Sequence, residues 1–338
     1  MKRTLRIVIF IGIVGISLFA YGVLWAPNNF EGDKILIVSK GQTFGEVADS
    51  LKNTGIIRSV FLFKIAGKLT ASTTKLQIGK YRFKGGASNS EIIDNIQNGR
   101  TAETITVLIR EGLRATTQAQ IFSQKLGIDS SRFMELMEDK SFAKSLRVDA
   151  HNLTGYLMPK TYKFYWQTGE EEIIRTLVAE FWNEFDSSMI RQMNRRKMTM
   201  NEVLTMASII ELETRIDTER AIVAGVYYNR LQRRMRLQAD PTVQFAIGGT
   251  PRRLHYSDLD YDSPYNTYKN YGLPPGPINN PGKTSILAAL YPLRHKYLYF
   301  VATGEGGHRF TTSFSEHQKA IKDYRRVRQE RKAAQEID

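Results

Sequence analysis

A single uncharged run near the N-terminus constrains this chain more than any other feature of its sequence. Ile7 to Ala26 form 20 consecutive, mostly apolar positions, and an α-helix needs about 20 such residues to cross a bilayer core. Three basic residues precede the run and acidic residues follow it, so the positive-inside rule places the short N-terminus in the cytoplasm. We therefore predict a cytoplasmic tail (1–6), a transmembrane helix (7–26) and an exported remainder. A cleaved signal peptide is the weaker alternative, because its best site, Leu18-Phe19-Ala20, is poor at its first position.

The overall composition excludes several classes of protein. Hydrophobic residues make up 42% of the 338 positions and charged residues 24%, which is close to an average globular chain and unlike a disordered, collagen-like or polytopic membrane protein. Cysteine is absent, which excludes disulfides, thiolate zinc sites and a cysteine nucleophile. A chain of this length is expected to fold as two or three domains.

The charge balance predicts an anionic partner. The formal net charge is +14, and without the three leading basic residues the exported part still has 45 Lys+Arg against 34 Asp+Glu, a net +11. Such a surface suits nucleic acid, an anionic membrane surface or an acidic polymer. Because the exported part lies outside the cytoplasm, we predict no nucleic-acid partner and expect contact with the outer face of the cytoplasmic membrane, in a periplasm or extracytoplasmic space.

The first exported segment, 34–100, is predicted to be a small α+β module. Alternation in Lys34–Ser39 predicts a strand, and Phe44–Leu51 has the periodicity of a helix. Two more helices, Ser59–Lys68 and Ser88–Asn98, and a strand over Gly79–Phe83 follow. The opening residues Val38-Ser39-Lys40-Gly41-Gln42-Thr43, followed by Val47-Ala48, resemble a LysM module, which implies binding of N-acetylglucosamine-containing glycans. A plain structural scaffold is the alternative.

The remaining chain is predicted to form a larger α+β domain over 101–325, followed by a basic tail over 326–338. Helices are predicted over Thr199–Thr214, Ala221–Arg234 and Lys283–Leu290, and a strand over Tyr297–Ala302. A Pro- and Gly-rich stretch, Asp240–Gly282, is predicted to be a long functional loop. The overall fold class is thus α+β with a single N-terminal membrane helix.

One carboxylate in the helix at 199–214 is predicted to be buried. At about 100° a residue, Glu211 lies about 40° from Ala207, inside the apolar face, whereas Glu213 lies about 120° away in the other direction, near its margin. A carboxyl group among apolar neighbours keeps its proton more readily, which suits a general acid at a glycosidic oxygen. Periodicity alone supports equally well a structural ion pair with Arg215 or Arg230.

Other kinds of active site lack their motifs. The sequence has no Gly-x-Ser-x-Gly, no His-Glu-x-x-His and no phosphate-binding Gly-Lys-Ser/Thr loop. No His and Asp spacing matches a ligand set, so we predict no metal and no cofactor. An ordinary glycoside hydrolase needs a second carboxylate, and Asp240 and Glu213 are the available candidates.

Several long motifs, in order, carry a resemblance to a known family. They are Ala207-Ser208-Ile209-Ile210-Glu211-Leu212-Glu213-Thr214, Leu237-Gln238-Ala239-Asp240-Pro241-Thr242-Val243, Ser263-Pro264-Tyr265-Asn266-Thr267-Tyr268, Gly272-Leu273-Pro274-Pro275-Gly276-Pro277-Ile278 and Asn280-Pro281-Gly282. The chain, from its membrane helix to about residue 325, resembles the MltG/YceG-like endolytic transglycosylases of peptidoglycan.

The resemblance implies a membrane-anchored lyase that cuts nascent glycan strands internally, without water, and leaves 1,6-anhydro-N-acetylmuramic acid ends that terminate strand elongation. It implies Glu211 as the catalytic acid, in agreement with the helical-face argument. Peptidoglycan strands, the cytoplasmic membrane and peptidoglycan synthases are the implied partners. The candidate substrate-binding residues are Glu213, Asp240, Thr242, Tyr265, Asn266, Thr267, Tyr268 and Asn280.

Most of these residues also have a structural interpretation. The segment Tyr265–Tyr268 is expected to line a sugar groove, although the nearby prolines equally suit a rigid loop that satisfies its own backbone. Asp240 either orients Glu211 or a sugar hydroxyl, or begins a turn. Glu213 either assists electrostatically or forms a salt bridge, which we favour. His308 is expected to be structural.

Two rival functions remain open at this stage. A non-catalytic scaffold would use the LysM-like module to hold synthases near nascent strands. A hydrolase would use water and leave reducing ends.

Overall fold

The computed structural model describes residues 2–73, 76–100 and 102–335. The chain forms two compact units. The N-terminal unit contains the residues up to 107 together with 121–129 and 162–169, and the C-terminal unit contains 108–120, 130–161 and everything from 170 onward. Both helices and strands are present, which confirms the predicted α+β class.

The first helix, α1 (Lys2–Leu24), covers the predicted membrane segment, 7–26, except for its last two residues. Among the described residues, it is the one helix long and apolar enough to cross a bilayer, judged by length and composition. Its last turn contacts the rest of the N-terminal unit, where Val23 is buried and its carbonyl accepts a hydrogen bond from Asn89 Nδ2 at 2.8 Å.

The segment after α1 forms a small α+β module in which all five predicted elements are confirmed. The elements are β1 (Asp33–Val38), α2 (Phe44–Asn53), α3 (Val60–Leu69), β2 (Gly79–Lys84) and α4 (Asn89–Asn98). The two strands pair antiparallel, with Asp33 opposite Lys84 and Val38 opposite Gly79. The glycan-binding identity of this module stays a prediction.

Local sequence signals set the helix ends of this module. Thr43 and Glu46 form a capping box at the start of α2, and each side chain accepts an amide hydrogen bond that the helix leaves unpaired. Gly99 ends α4 in the left-handed conformation, at φ +65°, which glycine adopts without steric cost. In the core, the rings of Phe44 and Phe63 stack with centroids 5.2 Å apart.

The remaining elements complete the two units. Strands β3 (Ile105–Leu108) and β4 (Thr161–Phe164) pair with each other, and α5 spans Ala115–Leu126. In the C-terminal unit the helices are α6 (Ser130–Glu138), α7 (Lys140–Ser145), α8 (Glu170–Glu184), α9 (Ser187–Arg195), α10 (Met200–Glu213), α11 (Asp217–Gln232), α12 (Asp240–Ile247), α13 (Lys283–Leu290) and α14 (Phe314–Gln335). The antiparallel pair β5 (Tyr299–Ala302) and β6 (His308–Thr311) precedes α14.

Helix α10 is the centre of the C-terminal unit. Thr199 caps it in a capping box with Glu202, and every residue from Val203 to Glu211 is buried. It packs against α11, α12 and α13. This nearly complete burial explains why the helix is apolar on most faces, and it fixes the carboxylates near its C-terminal end.

The prediction of a continuous loop over Asp240–Gly282 is wrong in its first part. Residues Asp240–Ile247 form α12, and a short 3-10 helix covers Tyr256–Asp260. Pro241 lies in the first turn of α12, where a missing amide hydrogen costs nothing because the first amides of a helix have no partner. The proline that suggested a loop therefore starts a helix.

Candidate active site

A solvent-open cavity of about 1220 Å³ lies in the C-terminal unit, at the C-terminal end of α10. Leu212 and Glu213 line one side of it, α12 contributes Asp240 and Phe245, and the loop 248–254 completes the wall. The volume exceeds that of a usual small-molecule pocket, which is about 300 to 1000 Å³. The cavity thus has room for an extended ligand.

Glu213 is the last residue of α10 and presents its carboxyl group to this cavity. The side chain is half-buried, and Tyr227 Oη donates a hydrogen bond to its Oε1 at 2.5 Å. Burial, reinforced by the charge of Asp240, raises the pKa of Glu213 to about 7, although the Tyr227 bond and Arg230 act in the opposite direction. The favoured salt bridge of Glu213 is absent among the described residues, so this carboxyl group can hold a proton near neutral pH.

Glu211 is buried, as its place on the apolar face of the helix predicts, and it is not among the residues that line the cavity. Its side chain is 5% exposed, Arg220 Nη1 donates to Oε1 at 2.9 Å, and the Gly282 amide donates to Oε2 at 2.9 Å. Both oxygens are therefore committed to protein donors. The structure favours the ion-pair interpretation, with Arg220 in place of the predicted Arg215 or Arg230.

The partner of Glu211 comes from the face of α11 that meets α10. Arg220 is buried and also donates to Asp217 Oδ1 at 2.9 Å and to Ser285 Oγ. Glu111 lies against the same group, and burial together with the charge of Glu211 raises its pKa. Gly282 allows this approach, because a Cβ atom there would lie 1.9 Å from Glu111 Oε1.

Asp240 joins Glu213 in lining the cavity. It is the first residue of α12, its side chain is exposed, and Tyr268 Oη donates to its Oδ1 at 2.5 Å. Burial and the bond to Asp240 raise the pKa of Tyr268, so the phenol keeps its proton and stays a donor. The two candidates for a second carboxylate, Glu213 and Asp240, thus line the same cavity, whereas Glu211 does not line it.

Thr242 and Thr267 were expected to contact substrate, but both are buried in the protein. Their hydroxyl oxygens are 2.9 Å apart, and Thr267 Oγ1 also accepts a hydrogen bond from the Ala239 amide at 2.9 Å. These contacts attach the segment after Ser263 to the first turn of α12. The geometry therefore gives the two threonines a structural role.

Asn266 and Asn280 are also buried, and neither of them lines the cavity. Asn266 Nδ2 donates to the carbonyls of Leu259 and Tyr261, at 2.9 and 2.8 Å. Asn280 Oδ1 accepts from the Gly155 amide at 2.7 Å. These contacts agree better with a rigid loop, whose side chains complete the hydrogen bonds of the backbone, than with a sugar-binding groove.

Tyr265 is placed beside the cavity. It is half-buried, and its ring centroid lies 4.8 Å from that of Phe245, which lines the cavity. An aromatic pair at this edge could stack on a sugar ring.

The fold adds residues to the site that no sequence motif indicated. Tyr227, Arg114 and Glu138 did not stand out, yet Tyr227 bonds the cavity carboxyl group and the other two line the cavity. The one available signal was the spacing of Arg220 and Tyr227, seven residues apart and hence on one face of α11.

His308 has the structural role that was expected. Its Nδ1 lies 2.7 Å from Glu219 Oε2, and Glu219 also accepts from Thr214 Oγ1 at 3.1 Å. Because Thr214 follows Glu213 directly, this contact anchors the end of α10. Within the part of the chain that is described, no group of three or more His, Asp or Glu side chains could hold a metal ion, and the absence of a cofactor stays a prediction.

Comparison with known proteins identifies the family. The model of the YceG-like family matches residues 36–323, which is most of the chain. The chain belongs to the YceG-like family. This confirms the resemblance seen in the motifs.

Named relatives of the family agree with this placement. The chain is 34% identical to the endolytic murein transglycosylase of Bacillus subtilis (strain 168), over 85% of this chain and 83% of that one. It is 28% identical to the endolytic murein transglycosylase of Streptococcus pneumoniae serotype 2, over 85% of this chain and 57% of that one. The crystal structure of a putative YceG-like protein from Listeria monocytogenes has a TM-score of 0.62 at 32% identity, covering 85% of this chain and 98% of the other.

Proposed function

We propose that this YceG-like chain is an endolytic murein transglycosylase, which cleaves glycan strands of peptidoglycan internally and without water. The observation that carries the proposal is the carboxyl group of Glu213, which lines a large open cavity and has a pKa raised to about 7. A general acid works best when its pKa lies near the working pH. The names of the relatives support the substrate and the reaction class.

Glu213, in place of the expected Glu211, is the proposed acid. Glu211 has both oxygens bonded to the Arg220 guanidinium and the Gly282 amide, outside the set of residues that line the cavity. Glu213 lines the cavity, and among the described residues its one hydrogen-bond donor is the neutral hydroxyl of Tyr227. A proton donor needs contact with the scissile oxygen before anything else, and only Glu213 of the two has that access.

The proposed reaction uses one carboxyl group twice. Glu213 first gives its proton to the glycosidic oxygen, the bond from that oxygen to C1 of the muramic acid breaks, and the leaving sugar departs as an alcohol. The Glu213 carboxylate then takes the proton of the C6 hydroxyl of the same muramic acid, whose oxygen bonds to C1. The product is a 1,6-anhydro ring, no water is consumed, and Glu213 ends protonated as it began.

The exported location is part of the proposal. Helix α1 anchors the chain in the cytoplasmic membrane with its N-terminus inside, because basic residues precede the apolar run. The LysM-like module, 34–100, binds the glycan, and peptidoglycan synthases are the protein partners. Such an arrangement lets the enzyme act on strands as they leave the membrane and so end their elongation.

The product chemistry tests the proposal directly. In water enriched in heavy oxygen, fragments of uncrosslinked nascent peptidoglycan are expected to carry 1,6-anhydro ends and no label, as read by mass spectrometry. Asp240 lines the same cavity and makes a hydrolase the alternative outcome. Labelled reducing ends would establish that alternative, and a folded chain that binds glycan but leaves it intact would favour the scaffold.

The pH dependence of cleavage should follow the protonation of Glu213. Since the first step needs the protonated acid and its pKa is about 7, kcat/KM is expected to be flat at lower pH and to fall about tenfold per pH unit above that value. The measurement is the rate of fragment release across the pH range, at low substrate concentration.

The alkaline limb of the pH profile is the range in which kcat/KM falls. Two conservative variants should move this limb in opposite directions. Asp240→Asn removes a negative charge that raises the pKa of Glu213, so the limb should move to lower pH. Tyr227→Phe removes a hydrogen bond that lowers the same pKa, so the limb should move to higher pH. Limbs that stay in place in both variants would mean that another group controls the first step.

A further inference from the structure

One wall of the cavity carries three arginines. Arg114 immediately precedes α5, and Arg252 and Arg253 come from the loop after α12. Asp258 neutralises Arg252 through two hydrogen bonds, at 2.7 and 2.8 Å. Arg114 and Arg253 make no ion pair with any carboxylate in the described ranges 2–73, 76–100 and 102–335. Two cations therefore face the cavity without an ion pair to any described residue.

Arg114 is held in place by neutral groups. Its Nη2 donates to the Gln244 carbonyl at 2.7 Å and its Nη1 to the Gly249 carbonyl at 3.4 Å, and its guanidinium lies 5.5 Å from the centre of the Phe245 ring. These bonds use two of the five donors of an arginine. The side chain is half-buried, and burial lowers its pKa, which is the sign of a cation that lacks compensation.

Arg253 differs from Arg114 in being exposed. Its side chain makes no hydrogen bond or ion pair with the described residues, and only its backbone carbonyl accepts one, from Arg252 Nη1 at 3.0 Å. A flexible arginine beside a fixed one is a suitable pair for a planar anion, because guanidinium groups bind carboxylates through two parallel hydrogen bonds.

We propose that Arg114 and Arg253 form a subsite for a carboxylate of the peptide stem attached to the glycan strand. The inference rests on the proposed function and adds a substrate preference to it. The acetylated sugars of such a strand are uncharged, so its anionic groups are the stem carboxylates along its length and the lipid diphosphate at one end. Only the stem carboxylates recur along the strand and accompany an internal cleavage site. The enzyme then distinguishes strands with free stem carboxylates from strands in which these groups are neutral.

The test compares three substrates that differ in the anionic groups they carry. These are nascent uncrosslinked strands with free stem carboxylates, the same strands with the stem carboxylates converted to amides, and strands released from their lipid diphosphate. We expect kcat/KM of the wild-type chain to fall about tenfold on the amidated strands, mainly through KM, and to be unchanged by release from the diphosphate. Arg253→Gln should lose the preference for free carboxylates and cleave free and amidated strands at equal rates.

Control variants separate the subsite from general effects. Arg191→Gln changes an exposed arginine of α9 and should keep the full preference, whereas Arg114→Gln should lose it if the protein stays folded. Equal rates on free and amidated strands would overturn the inference and leave the proposed function intact. A loss on the released strands alone would assign the wall to the diphosphate, and a wild-type chain that cleaves none of the three would overturn both.

Discussion

Glu213→Gln is expected to abolish glycan cleavage. Removing a general acid typically costs about 10² to 10⁴ in rate, and here the same carboxyl group is proposed to act as acid and then as base. Glutamine keeps the size of the side chain and can still accept the Tyr227 hydrogen bond, which is 2.5 Å long in the wild type. We therefore expect a loss of at least about a thousandfold in kcat, measured by mass spectrometry of released fragments.

Two control variants give this result its meaning. Glu172→Gln changes an exposed carboxylate in the first turn of α8 and should retain full activity. Binding of glycan to the Glu213→Gln chain should also persist, because the rest of the cavity is unchanged. Substantial cleavage by Glu213→Gln would contradict the assignment and return attention to Glu211 and Asp240.

The sequence was sufficient to locate the helix that carries the chemistry, but it did not identify the reacting residue on it. Periodicity correctly placed Glu211 among apolar neighbours and Glu213 at their margin. A helical wheel does not reveal what a residue at the edge of the apolar face contacts in the folded protein. In this fold the margin faces a cavity whose other walls come from residues 112–120 and 240–254, which are distant in sequence. Burial of Glu211 produces a structural ion pair, because Arg220 of the next helix contacts its carboxylate.

The loop residues illustrate a second limit. The motif around Asn266 and Thr267 contains residue types that bind sugars, and the same types also complete the hydrogen bonds of an irregular backbone. The two roles cannot be separated without knowing where each side chain points. Here both side chains are buried and bonded to nearby backbone, while Asp240 and Phe245, from the same stretch, line the cavity.

Arg220→Met is expected to destabilise the C-terminal unit strongly. Arg220 and Glu211 are both buried, and their side chains are bonded at 2.9 Å. Removing one partner leaves a buried charge without compensation, which typically costs about 3 to 5 kcal/mol. For a unit of this size, 1 kcal/mol corresponds to about 2 to 4 °C in Tm. A fall of about 10 °C in the thermal unfolding temperature of the full chain in detergent is therefore the expected result.

The double variant Glu211→Gln/Arg220→Met should recover most of that loss. It removes both charges and keeps an amide oxygen that can accept the hydrogen bond of the Gly282 amide, 2.9 Å long in the wild type. Such non-additivity is the mark of a direct pair. The double variant should also cleave glycan at temperatures where it is folded, because its Glu213 is intact. A double variant that is stable yet inactive would give Glu211 the chemical role, whereas an unchanged Tm in Arg220→Met would mean that the pair contributes little to the fold.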